Sequence, residues 1–174
     1  MLNYLSFVDL RVEGLILAMH SAWVTSLFAF LTNFGGPAVI VPVFFGTSIY
    51  LWRNHRGLFR YYVAYFATSE IVVYALKFFV DRPRPLGGIL YGETDGSMPS
   101  GHAAASIFVY GFICYLLNNF SPEFRYKKVI TYSLVLLVLL IGFSRLYLDV
   151  HFLSDVLAGY FIGGFSLWRL AKNN

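Results

Sequence analysis

Two histidines, three cations and one carboxylate stand out in a chain that otherwise avoids charge. Lys77 and Arg84 lie seven residues apart in Lys77-Phe-Phe-Val-Asp-Arg-Pro-Arg84-Pro85. Pro99-Ser100-Gly101-His102 follows, and then Ser144-Arg145, with His151 and Asp155 beyond. Only 13% of the 174 residues are charged, and 58% are hydrophobic. In so apolar a chain ionisable residues are expensive and mark a functional site by default. Cations collect an anion, and a histidine beside that anion is a nucleophile or a proton carrier. These residue types point to chemistry on a phosphate group.

The spacings sharpen that reading. Ser100 stands as an N-cap before the apolar run that starts at Ala103, and the start of a helix offers unpaired N–H groups to an anion. Gly101 lets the backbone approach an oxyanion closely, and His102 falls in the first turn beside it. His151 and Asp155 are four apart, one above the other on a helix face. A carboxylate so placed fixes the imidazole tautomer and frees the other nitrogen to attack. Pro83 and Pro85 stop a helix from running through the first motif. Arg84 and Arg145 suit bidentate contact with phosphate oxygens, and Lys77 adds a mobile point charge. Three cations can balance the charge on a transferring phosphoryl group.

The elements that must hold these residues are membrane helices. No Asp, Glu, Lys or Arg occurs between Gly14 and Trp52, and Gly35-Gly36-Pro37 marks a turn inside that stretch. Spans are expected at about 14–32, 37–52, 61–80, 102–118, 129–146 and 152–168, since about 20 apolar residues cross a bilayer. The fold class is therefore all-α, a polytopic bundle of about six transmembrane helices in a single domain, 1–174. Five remain if residues 5–20 form an interfacial helix instead. Eight of the 13 basic residues fall in three clusters, 53–60, 125–128 and 169–172. Each is two spans from the next, so all three can share the cytoplasmic side. The loops at 81–100 and 145–151 then share the opposite side, and with them every residue named above.

Other candidates have plainer readings. His20 is expected to be a satisfied core histidine, and His55 a solvated neighbour of the basic cluster. Glu70, inside a span, is expected to make a structural hydrogen bond. Cys114 is the sole cysteine and reads as a small buried hydrophobe. No basic n-region precedes the first apolar run, so the N-terminus is expected to be retained. The net charge of +4 concerns membrane orientation, and no nucleic acid or obligate protein partner is indicated.

The three blocks resemble the type-two phosphatidic acid phosphatase superfamily of integral-membrane lipid phosphatases. Its pattern is Lys, six residues, Arg-Pro; Pro-Ser-Gly-His; and Ser-Arg, five residues, His, three residues, Asp. The resemblance implies that His151 is the nucleophile of a phosphohistidine intermediate. It implies that Asp155 orients His151, and that His102 serves as acid and then base. Lys77, Arg84, Ser100, Gly101 and Arg145 would bind phosphate, with no metal and no cofactor. The substrate would be a lipid phosphate monoester or pyrophosphate: phosphatidylglycerol phosphate, undecaprenyl pyrophosphate, phosphatidic acid or lipid A 1-phosphate. The setting would be a bacterial inner membrane, with the site facing the periplasm or exterior among membrane lipids. Two departures stand out: Asp149 where a small residue is expected, with Arg82 as its expected partner, and Leu153 in place of a common proline. A phosphate or anion transporter and a vanadate-type haloperoxidase-like site are the rival readings.

Overall fold

The computed structural model describes residues 2–121 and 123–173. Its helices are α1 (Leu2–Leu17), α2 (Ala22–Thr32), α3 (Pro37–Asn54), α4 (Arg56–Val80), the short α5 (Gly87–Leu90), α6 (Gly101–Phe120), α7 (Lys127–Tyr147) and α8 (Leu153–Lys172). No strand occurs among the described residues, so the architecture is the expected all-α membrane bundle. Four stretches have the length and hydropathy to cross a membrane: Ala22–Asn54, Arg56–Val80, Gly101–Phe120 and Lys127–Tyr147.

The expected span 14–32 is not one helix. The chain leaves α1 at Leu17 and starts α2 at Ala22. The backbone freed by that break is caught by the end of α7. Ser21 donates its N–H to the Tyr147 hydroxyl at 3.0 Å, and that hydroxyl donates to the Met19 carbonyl at 3.2 Å. His20 Nε2 meets the Tyr147 carbonyl at 2.6 Å. His20 is thus satisfied, though exposed and not in the core. At 1.5 Å per residue the 11 residues of α2 reach only about half of a 30 Å hydrocarbon layer. Both ends of α2 meet the same end of α7, through Tyr147 at its start and through Thr32, bonded to Arg145, at its finish. It lies along the rim, and α3, α4, α6, α7 and α8 traverse the bundle.

Helix α6 is the centre. Its Phe108, Val109 and Phe112 are wholly buried with Tyr62 of α4, Leu51 of α3, Ile141 of α7 and Leu170 of α8. Tyr62 stacks on Phe112 with ring centroids 4.3 Å apart. Around this core the outward faces stay apolar: Phe78, Phe79, Tyr132 and Phe161 are 71–80% exposed. Such a surface would be an aggregation liability in water and suits contact with lipid tails.

Gly159 and Gly163 bring α8 onto α6. A Cβ on Gly159 would stand 2.3 Å from the Ser100 carbonyl oxygen, and one on Gly163 2.2 Å from that of Ala104. Two small residues four apart let helix backbones touch, a common device inside membranes. The consequence is positional. The first turn of α8, with Asp155, is pressed against the first turn of α6, where Ser100 N–H donates to the Asp155 carbonyl at 3.0 Å. At the other end, His55 and Phe120 rings approach to 4.7 Å, and Asn173 bonds Tyr65. The three basic clusters therefore share one end of the bundle, as their spacing predicts. His55 packs on an aromatic ring there instead of standing solvated.

Candidate active site

At the opposite end the three blocks converge. Lys77 ends α4, Arg84 follows in the Pro-rich segment, and Gly101 and His102 open α6. His151 lies in the turn that joins α7 to α8. All five line one cleft of about 530 Å³, together with Glu93 and Asp95. The rest of the wall is mostly apolar, built from Ile40 and Val41 of α3, Phe66, Val73 and Tyr74 of α4, and Ala105 of α6, with the Glu70 carboxyl set among them. A charged mouth over an apolar slot suits an amphiphile with an anionic head.

His151 is 4% exposed, with a partner at Nε2 and no hydrogen bond at Nδ1 among the described residues. Arg84 NH1 lies 3.2 Å from Nε2 and also donates to the Val150 carbonyl at 3.0 Å. Nδ1 points to Asp155 Oδ2 at 3.6 Å, an ion-pair distance longer than a hydrogen bond. Burial pushes the His151 imidazole down to about 4, against the pull of Asp155 and with the help of Arg145 and Arg84. Asp155 is wholly buried. Its Oδ2 accepts the Phe152 N–H at 2.9 Å, closing the first turn of α8, and its Oδ1 accepts from Arg82 NH1 at 2.7 Å.

Ser100 sits at the N-cap of α6 but makes no capping bond with its side chain. Its hydroxyl is buried and has no partner among the described residues. His102 packs against Gly35 and Gly36, in the turn between α2 and α3. Arg145 reaches the cleft through Glu93, which pairs with its NH2, while NH1 donates to Thr32 Oγ1 at 2.9 Å.

One expected partnership, between Arg82 and Asp149, is replaced by others. Arg82 does not meet Asp149. It binds Asp155, Ser154 Oγ at 2.7 Å and Asp9 at 2.7 Å, and it lies 4.2 Å above the Phe152 ring. Asp149, at a left-handed φ of 55°, accepts the Gly87 N–H at 2.9 Å, and Glu13 of α1 is its charged neighbour. Burial and the repulsion of Asp149 raise the Glu13 carboxyl above its usual range. Glu70 lacks the structural hydrogen bond expected of it: its buried Oε1 has no partner among the described residues.

Glu93 and Asp95 were missed by reasoning on motifs alone. Asp95 lies 3.0 Å from Lys77 Nζ and 2.6 Å from Arg84 NH2, and Glu93 lies 3.2 Å from Arg84 NH2. Burial would raise the Asp95 carboxyl, but the bonds from Lys77 and Arg84 hold it below its usual range. A signal existed in the chain: three cations gathered in an apolar molecule need counter-charge when no anion is bound. The only carboxylates between the first two blocks beyond the Pro-rich segment are Glu93 and Asp95.

A profile of the PAP2 superfamily matches residues 58–173, which takes in all three blocks. The chain belongs to the PAP2 superfamily. It is a multi-pass membrane protein and a phosphoric ester hydrolase, which removes the transporter reading. This PAP2 protein is 29% identical over 165 residues to phosphatidylglycerophosphatase B of Bacillus subtilis, covering 92% of its own length and 80% of that chain. It is 28% identical over 187 residues to a lipid A 4'-phosphatase of Bacteroides thetaiotaomicron, covering 97% and 77%. The crystal structure of a transmembrane PAP2-type phosphatidylglycerolphosphate phosphatase from Bacillus subtilis shares its fold. The TM-score is 0.87 at 24% identity, over 98% of this chain and 86% of that one.

Proposed function

We propose that residues 1–174 form one membrane-embedded domain that hydrolyses lipid phosphate monoesters or pyrophosphates through a phosphohistidine. The observation that carries this is the setting of His151. Arginine has no acceptor atom, so the nitrogen facing Arg84 holds a lone pair and Nδ1 holds the proton. The lone pair faces Arg84 at the edge of the cleft, where an incoming phosphoryl group would take the place of that contact, and the N–H points toward Asp155. His151 Nε2 attacks phosphorus, and the ester oxygen leaves with a proton from His102, whose imidazolium form the charge of the bound phosphate would support. The resulting neutral His102 then takes a proton from water as that water attacks the N–P bond. Inorganic phosphate departs, and both histidines return to their starting states. Lys77, Arg84 and Arg145 balance the charge on the phosphoryl oxygens, with the unpartnered Ser100 hydroxyl and the N–H of Gly101. These three cations supply the positive charge that a metal ion supplies elsewhere.

The acyl or prenyl tail lies in the apolar slot between α3, α4 and α6. The names of the two relatives, with phosphatidylglycerophosphate and lipid A as substrates, support this class of ligand. Short loops leave little to recognise a head group, so tolerance is expected among phosphatidylglycerol phosphate, undecaprenyl pyrophosphate, phosphatidic acid and lipid A 1-phosphate. The basic clusters favour a bacterial inner membrane orientation in which the site faces the periplasm or exterior. The test is phosphate release from those four lipids in detergent micelles with a chelator present. His151→Ala is expected to be inactive and His102→Ala slower by about 10²–10⁴. Near-normal release by His151→Ala would sink the mechanism, and release from only one lipid would sink the tolerance.

A further inference from the structure

The helix that precedes the bundle reaches into the site. Asp9 of α1 is 2% exposed although its neighbours Val8 and Leu10 face outward. Its Oδ1 accepts the Ser154 N–H at 2.9 Å, and its Oδ2 accepts the Ser154 hydroxyl at 2.6 Å and Arg82 NH2 at 2.7 Å. The other end of the same guanidinium, NH1, meets Asp155 Oδ1 at 2.7 Å. Asp155 in turn faces His151 Nδ1. Four groups from three separate parts of the chain thus form one line: Asp9, Arg82, Asp155, His151.

From this line we propose that Asp9 is a positioning residue for the nucleophile, so that α1 belongs to the catalytic apparatus. Asp155 is torn between two cations. One is Arg82, fixed and always charged; the other is the His151 imidazole, which becomes positive only when its Nε2 bonds phosphorus. Arg82 anchors the Asp155 carboxylate, and an arginine held by Asp155 alone would swing and carry that carboxylate out of line with His151. Asp9 takes up half of the guanidinium, fixes its plane against Phe152, and leaves Asp155 Oδ2 aimed at Nδ1. At metal sites, carboxylates that orient a ligating histidine are typically worth about 10–100-fold in activity, and the same scale is taken for a carboxylate that orients an attacking histidine. Asp9 acts two groups away, so the low end of that range applies. It never meets the lipid, so its effect falls on the chemical step and not on binding.

This inference rests on His151 being the nucleophile, and the experiment separates the two ideas. Full-length enzyme in micelles is assayed on short-chain phosphatidic acid, with phosphoenzyme trapped from radiolabelled substrate. Absence of a phosphohistidine in the wild-type enzyme would remove the mechanism itself. With that intermediate present, Asp9→Asn is expected to lower kcat on the order of tenfold and to leave KM within about twofold. The same substitution placed on Asp155→Asn is expected to cost nothing further, because the line is already cut. Losses that multiply, or a loss in KM alone, would overturn the proposal. Arg82→Gln keeps both Asp9 bonds to Ser154, and hence the anchorage of α1. It must show the same fall in kcat even if Asp9→Asn fails to fold, and a full-speed Arg82→Gln overturns the proposal.

Discussion

Arg84 NH1 stands 3.2 Å from His151 Nε2 while donating to the Val150 carbonyl at 3.0 Å. One planar group therefore sets both the turn that carries the histidine and the tautomer of its ring. Lysine has a single ammonium on a flexible stem and cannot hold both contacts in one plane. Arg84→Lys keeps the charge and loses the fork. Its kcat is expected to fall by about 10²–10³, the usual effect of losing one aligned group at a developing charge. Steady-state assay in micelles checks this, and a variant within threefold of wild type would contradict it.

The pH dependence follows from the same histidine. Its value of about 4 lies below the ordinary 6.5 because burial disfavours the charged ring more than Asp155 supports it. In the folded protein the ring thus stays neutral down to about pH 4. The unfolded chain binds a proton there below pH 6.5 that the folded chain refuses. Stability from this group is therefore complete above 6.5 and declines as pH falls toward 4. Nitrogen-15 shifts of histidine-labelled enzyme, assigned with His151→Gln, are expected to show His151 untitrated at pH 5.5. A midpoint near 6.5 would refute the reading.

Glu93 and Asp95 occupy the cations that the proposed phosphate needs. Substrate must displace them or share with them, so each carboxylate competes with phosphate. Asp95→Asn removes the competitor shared by Lys77 and Arg84. Inhibition by inorganic phosphate is expected to tighten about tenfold, which corresponds to about 1.4 kcal/mol of released competition. Weaker inhibition than wild type would mean that Asp95 supports the anion site instead of competing for it.

What the sequence made legible was the costly part. Lys77, Arg84, His102, Arg145, His151 and Asp155 stand out because charge is rare around them, and short fixed spacings tie them into blocks. The parity of the basic clusters placed all of them at one end before any contact was known. The partners were not legible. Asp9 and Asp155 lie 146 residues apart, and only the docking of α1 brings them to either side of Arg82. An expected bond between Arg82 and Asp149 rested on nearness to the motif, while the fold gives Asp149 a backbone N–H from Gly87. The break between α1 and α2 was hidden for a related reason. Apolar residues flank it on both sides, and the group that stabilises it, Tyr147, belongs to α7.

The seam between α6 and α8 offers a last test, since it sets the height of His151 against His102. Gly159 and Gly163 face backbone carbonyls at 2.3 and 2.2 Å from a would-be Cβ, whereas Gly164 meets only Ile107 Cδ1 at 3.5 Å. A methyl at 3.5 Å is ordinary contact, so Gly164→Ala is expected to keep wild-type activity and thermal stability. A methyl on Gly159 forces two backbones apart beside Ser100. Overpacking of this kind costs about 1–3 kcal/mol, and it lifts the first turn of α8 away from α6. Gly159→Ala is therefore expected to lose both thermal stability and kcat. Gly163→Ala, one turn further from the site, is expected to lose stability with a smaller effect on kcat. Melting curves and turnover measured on the three variants in one detergent check the order. Equal kcat in Gly159→Ala and Gly164→Ala would show that the seam holds the fold without setting the site.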